Sequence, residues 1–267
     1  MQFYDFMYKG RIFVFFLLVF AILAVYYNIQ RGKKGTAPKL RRILGLDAID
    51  EAVGRATEMG RPIHFTTGYG GGGLDTPKSA AHLAGLSVLN YISDTAVKYR
   101  TPLIVSVCWP EEIPIIEEQM RLQYRKYGRL EEYQPDKIIR FFSTQSMAYA
   151  AGVMDTLITE NVATNIMIGW FWGETLLMSE TGARIGAIQI AGAPDTTSIP
   201  FFVATCDYVL ISEEVFCAGA YVSGDPMQQG SLVGEDWLKI LSMVIIAIGS
   251  ILATLGLKDL VMSFLNI

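Results

Sequence analysis

Apolar residues run unbroken in two places and alternate with polar ones between them. Residues 12–27 read IFVFFLLVFAILAVYY, without a charge or a glycine. Asn28 and Ile29 bring the run close to the roughly 20 residues that span a hydrocarbon core. Residues 240–257 read ILSMVIIAIGSILATLGL, again uncharged, bracketed by Lys239 and Lys258 and preceded by Trp237. A signal peptide would end in a small-x-small cleavage site. The first run ends instead in Tyr26-Tyr27-Asn28, which suits an interfacial aromatic anchor. Both runs are expected to be transmembrane helices. Gly249 and Ala253 stand in the second run at the small-xxx-small spacing that lets helices approach closely in lipid, so they are candidate interface residues. The apolar tail, residues 260–267, is expected at the membrane interface or against neighbouring helices.

The stretch between the runs changes period repeatedly. Helical patterns cover residues 47–59, 76–98, 111–127, 143–160, 174–181 and 212–222. Asp47, Thr76 and Ser212 are placed to cap, Pro77 is at a first helical position, and Gly60 ends the first of these helices. Short strand patterns cover residues 62–66, 102–107, 137–142, 165–169, 185–191 and 206–211. Strands alternating with helices predict βαβ units and an α/β fold: a Rossmann-like, doubly wound, mostly parallel sheet inserted between two transmembrane helices. The expected divisions are an anchor with its basic flank (1–42), a domain (43–236), and a second span with its tail (237–267).

Composition explains itself once the runs are set aside. The chain is 51% hydrophobic and 18% charged, against about a quarter charged in ordinary globular chains. Mean hydropathy is +0.33. Without the two runs the remainder has ordinary composition. The net charge of −4 and the one basic cluster, Arg31, Lys33, Lys34, Lys39, Arg41 and Arg42, argue against a nucleic-acid partner, because that cluster directly follows the first apolar run. Only Lys9 and Arg11 precede it, so the positive-inside rule puts both termini outside and the domain in the cytoplasm of a cell membrane. Cys108, Cys206 and Cys217 form neither a CxxC pair nor a zinc pattern and read as buried, reduced thiols.

Candidate chemistry lies at the strand ends, where ligands bind in doubly wound sheets. Gly68, Gly70 and Gly73, with Gly71 and Gly72 between them, match G-x-G-x-x-G after a strand and before the Thr76 helix. Such a loop can bring backbone amides against a phosphate. The acid a dinucleotide fingerprint needs about 20 residues later is missing, and no Gly-Lys-Ser/Thr follows. Glu174 and Asp195 end later strands and, with Asp75, could share a cleft. Trp170 and Trp172 could stack a flat ligand, and the interface reading is favoured for them. His64, His82 and Cys108 read as structural, and no metal-ligand cluster is apparent.

Two stretches, IDEAVGRATEMGRPIHFTTGYGGGG (49–73) and ISEEVFCAGAYVSGDPMQQGSLVGEDW (211–237), resemble a family of uncharacterised prokaryotic membrane proteins found in archaea and some bacteria. The resemblance implies the anchored architecture and no familiar enzyme class. Two functions are therefore expected to compete. The first is a non-catalytic oligomeric assembly or scaffold protein in the lipid bilayer, as a homo-oligomer or with other membrane subunits. The second is a nucleotide- or anionic-small-molecule-binding domain or enzyme using residues 68–73, with a nucleotide as its only candidate cofactor.

Overall fold

The computed structural model describes residues 12–34 and 43–257. The flanking Lys9, Arg11, Lys39, Arg41, Arg42 and Lys258 and the tail at 260–267 lie outside the described residues. The chain divides into two units, one of Met1–Leu40 with Gly224–Ile267, the other Arg41–Ser223.

The first unit holds α1 (Ile12–Lys33) and α10 (Pro226–Thr254). Both are long and apolar enough to cross a membrane. Most of their large side chains are open: Phe16 is 65% exposed and Ile246 67%. The helices pack on each other where side chains vanish. A Cβ at Gly230 would sit 2.5 Å from Asn28 O, one at Gly234 2.7 Å from Val25 Cα, and one at Gly32 2.1 Å from Pro226 O. Gly230 and Gly234 form the small-xxx-small pair that makes this contact. Gly249 is half-buried and Ala253 exposed. The second helix starts well before its apolar run, because Asp225 caps it by accepting from Met227 N (3.0 Å) and Pro226 takes a first-turn position. Tyr27 lies against Trp237, ring centroids 6.1 Å apart.

The second unit is a sheet of six strands, all parallel, in the order β3-β2-β1-β4-β5-β6. The strands are β1 (Ile63–Thr66), β2 (Leu103–Val107), β3 (Ile139–Phe141), β4 (Thr164–Ile168), β5 (Ile188–Ala193) and β6 (Tyr208–Ile211). One face carries α2 (Leu44–Met59), α3 (Ser79–Tyr99), α4 (Ile113–Lys126) and α9 (Glu213–Ser223). The other carries α6 (Ser146–Thr159), α7 (Thr175–Arg184) and α8 (Ile199–Thr205), with α7 between the other two. A four-residue α5 (Pro135–Ile138) leads into β3.

Strand alternation supplies two cores. Phe65, Val105, Ile166 and Ile190 point to the α2–α4 side and are at most 1% exposed. Each such side chain contributes about 1.5–3 kcal/mol by leaving water. Met167 and Ala191 point the other way and meet Tyr149, Val153, Phe171, Met178 and Phe202.

Several boundaries differ from the sequence expectation. The Thr76 helix starts at Ser79, and Thr76 Oγ1 donates to Gly73 O (3.0 Å), so it holds the loop and leaves the helix uncapped by its side chain. Ile43 replaces Asp47 at the start of α2; the Asp47 carboxylate accepts from Tyr221 OH (2.6 Å). Gly60 does end α2, at φ +62°. The strand order reverses between β1 and β4, and the loops leaving these two strands form the candidate site.

Candidate functional site

The two loops are stitched together by backbone. Gly70 N donates to Trp170 O (2.8 Å), Trp170 N to Thr67 O (3.1 Å), and Gly169 N to Gly192 O (3.1 Å). The approach is too close for a side chain at Gly68, where φ is +87° and a Cβ would fall 2.3 Å from Trp170 O. The glycine at that position is thus required by the fold.

Side chains pack closely against the glycines of the loop. Glu111 Oε1 accepts from Leu74 N (3.3 Å) and lies where a Gly73 Cβ would stand, 1.4 Å from it. Trp170 packs against Gly70 and Gly71. The Lys78 ammonium rides over Trp170 and Trp172, 4.6 and 5.3 Å from their ring centroids. Tyr69 stacks on Trp109 at 5.7 Å and meets Trp172 edge-on at 6.0 Å. A buried donor is left over: Trp170 Nε1 has no hydrogen-bond partner among the described residues.

Beneath the loop sits a buried acid–base pair. His82 Nε2 donates to Gly70 O (3.0 Å), and His82 Nδ1 is 2.7 Å from Glu112 Oε1, with both side chains at 0% exposure. The latter atoms are close but poorly aligned, so the contact is chiefly electrostatic. Thr67 Oγ1 donates to Glu112 Oε2 (2.6 Å). Burial alone would lower the His82 pKa, but the Glu112 carboxylate, Gly70 O and Glu111 outweigh it and the value is raised. The pair ties the glycine loop to the turn after β2.

Under α6–α8 a second polar set crosses the sheet. Register puts His64 opposite Asn165 and Asn165 opposite Gln189. Gln189 Nε2 donates to Ser179 O (2.8 Å) and Thr205 O (2.7 Å), so Gln189 Oε1 is free to accept from Asn165 Nδ2 (3.0 Å). Asn165 Oδ1 then accepts from His64 Nδ1 (2.8 Å), which leaves His64 Nε2 to accept from Ser106 Oγ (2.7 Å). Burial lowers the His64 pKa to about 4, with Arg140 adding to the effect and Asn165 opposing it. Ser106, His64 and Asn165 have the relative placement of a hydrolytic triad. All three are 1% exposed or less, so the serine is closed off from solvent. Tyr149 closes the adjoining space, with its hydroxyl on Thr66 Oγ1 and 3.3 Å from Ser106 O.

The other named residues are placed apart. Glu174, 1% exposed, accepts from Trp172 N (3.0 Å) and Ser146 Oγ (3.2 Å), joining the starts of α6 and α7. The Asp195 carboxylate accepts from Thr197 Oγ1, and Asp75 is exposed. No hydrogen bond among the described residues joins these three acids. Cys108 donates to Ser143 O (3.2 Å); burial, with Glu112, Glu174 and Glu111 nearby, pushes its pKa up to about 12. A thiol held neutral at physiological pH is not a nucleophile. Among the described residues no group of three or more His, Cys, Asp or Glu could hold a metal ion.

The two histidines titrate in opposite senses. His64 resists protonation only when folded. Its contribution is complete above pH 6.5 and is lost as pH falls towards about 4, by about 3 kcal/mol in all. His82 works the other way: its stabilisation is present below pH 6.5 and is lost as pH rises through its raised value. Imidazole nitrogen NMR should find His64 neutral with its proton on Nδ1 at pH 5.5, and His82 still charged at pH 6.5. A His64 resonance titrating near 6.5 would contradict the closed ladder.

No curated protein and no solved structure matches the chain. One family does, described as a domain of unknown function (DUF6754), and the match covers residues 2–264. That is consistent with the resemblance to an uncharacterised family. The match includes both apolar helices and every loop of the candidate site, and the chain belongs to this DUF6754 family.

Proposed function

We propose that this chain is a membrane-anchored, Rossmann-like domain that works as a non-catalytic assembly protein. The helices α1 and α10 are its anchors, and Arg31, Lys33 and Lys34 at the end of the first favour a cytoplasmic domain with both termini outside. The observation that carries the non-catalytic part is the packing of Glu111, Glu112 and Trp170 against the glycine loop. Glu111 lies on the glycine loop and Glu112 beneath it. A phosphate brought to about 4 Å from the Glu111 carboxylate meets a repulsion of about 4 kcal/mol per pair of unit charges near a protein surface. The nucleophile-like groups, Ser106 and Cys108, are buried.

Trp170 Nε1, buried without a partner, and the Lys78 ammonium beside it favour the second reading, an anionic ligand at the loop. Thermal denaturation separates the two. A ligand at about 100 times its Kd stabilises by about 2.7 kcal/mol, a rise of about 5–10 °C in Tm at this size. Millimolar ATP, GTP, NAD and inorganic phosphate are expected to produce no rise. A rise that grows in Glu111→Gln would overturn the proposal and establish the anion site.

A further inference from the structure

We propose that the glycine loop is a flap latched by the charge on His82: the imidazolium holds residues 70–73 down, and loss of one ring proton lets them lift. The latch does not depend on whether the domain works in assembly. It follows from how many protons the ring needs for the contacts it makes. His82 Nε2 faces Gly70 O at 3.0 Å, and Nδ1 faces Glu112 Oε1 at 2.7 Å. Both neighbours are acceptors, so both ring nitrogens must carry a proton, and only the imidazolium does. A neutral ring leaves one lone pair against an oxygen.

The surroundings decide which contact is given up. The Glu112 side chain is fully buried, and its other oxygen accepts from Thr67 Oγ1 (2.6 Å). A proton facing a carboxylate is held more strongly than one facing a neutral carbonyl. The last proton therefore stays on Nδ1, and Nε2 turns a lone pair on Gly70 O. Gly70 is buried, and a buried carbonyl without a donor is costly to keep. It regains a donor by turning outwards to water.

Little else restrains the segment. Residues 70–73 are four glycines, without side chains to pack. Gly71 and Gly72 are left-handed, at φ +85° and +82°, so the tip can take up either sign of φ. The other bonds to the segment run from Gly70 N to Trp170 O (2.8 Å) and from Thr76 Oγ1 to Gly73 O (3.0 Å). Neither changes with pH.

The charged groups around the ring set the direction. Burial works against the imidazolium, and Glu112 and Glu111, both from the turn after β2, outweigh it together with Gly70 O. Lys78, on the same helix, sends its ammonium over the Trp170 and Trp172 rings. On the loop itself Tyr69 lies against Trp109, and Asp75 is exposed. Glu174, after β4, accepts from Trp172 N and Ser146 Oγ, and the Cys108 thiol donates to Ser143 O. The latch is therefore mostly closed at pH 6.5 and opens as pH rises through the raised His82 value.

Hydrogen exchange of the full-length chain in lipid nanodiscs, read by mass spectrometry between pH 6 and pH 9, tests this. Each rate is divided by that of the same sequence unfolded, which removes the intrinsic effect of pH. Protection across residues 68–74, where the Gly70 amide is bonded to Trp170 O, should fall by about tenfold as one buried acceptor loses its donor, equivalent to about 1.4 kcal/mol. Protection of α6 should stay constant. Glu112→Gln should abolish the step and keep the loop closed throughout. Its amide can donate to Nδ1 of a neutral ring, whose proton then stays on Nε2 against Gly70 O. Wild-type loop protection that is level from pH 6 to pH 9 would overturn the proposal. A step of the same size in Glu112→Gln would overturn it as well, because the loop would then be answering to another group.

Discussion

Glu112→Ala is expected to destabilise the domain by about 3–5 kcal/mol, because removing one partner of a buried ion pair strands the other. At this size that is a fall in Tm of about 10 °C or more. His82 would lose the carboxylate 2.7 Å away, and Thr67 Oγ1 would lose its acceptor. The His82 pKa should then fall, since burial alone pushes it down. The double variant His82→Leu, Glu112→Leu should lose clearly less than the two single leucine variants added together, because it leaves no uncompensated charge. Additive losses would mean that the two residues act separately and that the loop is held by its backbone bonds alone.

Asn165→Leu should cost about 2–6 kcal/mol, from two buried groups left unsatisfied at about 1–3 kcal/mol each. Those groups are the His64 Nδ1 proton and Gln189 Oε1. Chemical denaturation should show a lower midpoint with an unchanged slope. A companion variant checks the geometry. Gly182→Ala on α7 would put a Cβ 2.2 Å from Gln189 Oε1 and 3.1 Å from Asn165 Nδ2, so it should damage the same ladder from above. Wild-type stability in both variants would show that the polar set is incidental to the core.

Periodicity carried the fold further than it carried the site. Strands such as PLIVSV announce themselves as short apolar runs bounded by turn residues, and all six expected strands are present in one parallel sheet. The loops at their carboxyl ends followed from that topology. Helix α8 was missed because IPFFVAT is too short to show a period and has no polar face to mark one. The first part of α10 was missed because Glu235, Asp236 and Lys239 interrupt the apolar pattern without interrupting the helix.

The polar ladder was not legible for a different reason. Ser106, His64, Asn165 and Gln189 come from four strands, and only register makes them neighbours. Read singly, each is one polar residue in a buried strand. Glu112 was similarly hidden. Next to Glu111 it reads as an ordinary acid in the first turn of a helix, yet a 3-10 turn at Pro110–Glu112 sends one carboxylate inward to His82 and the other across to the glycine loop. The glycine motif was visible, and its spacing described a loop geometry faithfully. What spacing could not convey is that side chains from the turns after β2 and β4, Glu111 and Trp170, already pack against the loop's glycines.

The most direct test of that packing is a cryo-microscopy density map of the full-length chain extracted from its native membrane without added ligand. The account predicts the Glu111 carboxylate on the Leu74 amide, the Lys78 ammonium over the Trp170 ring, and no further density between them. Non-protein density at Trp170 Nε1, with Glu111 swung away from Gly73, would contradict it.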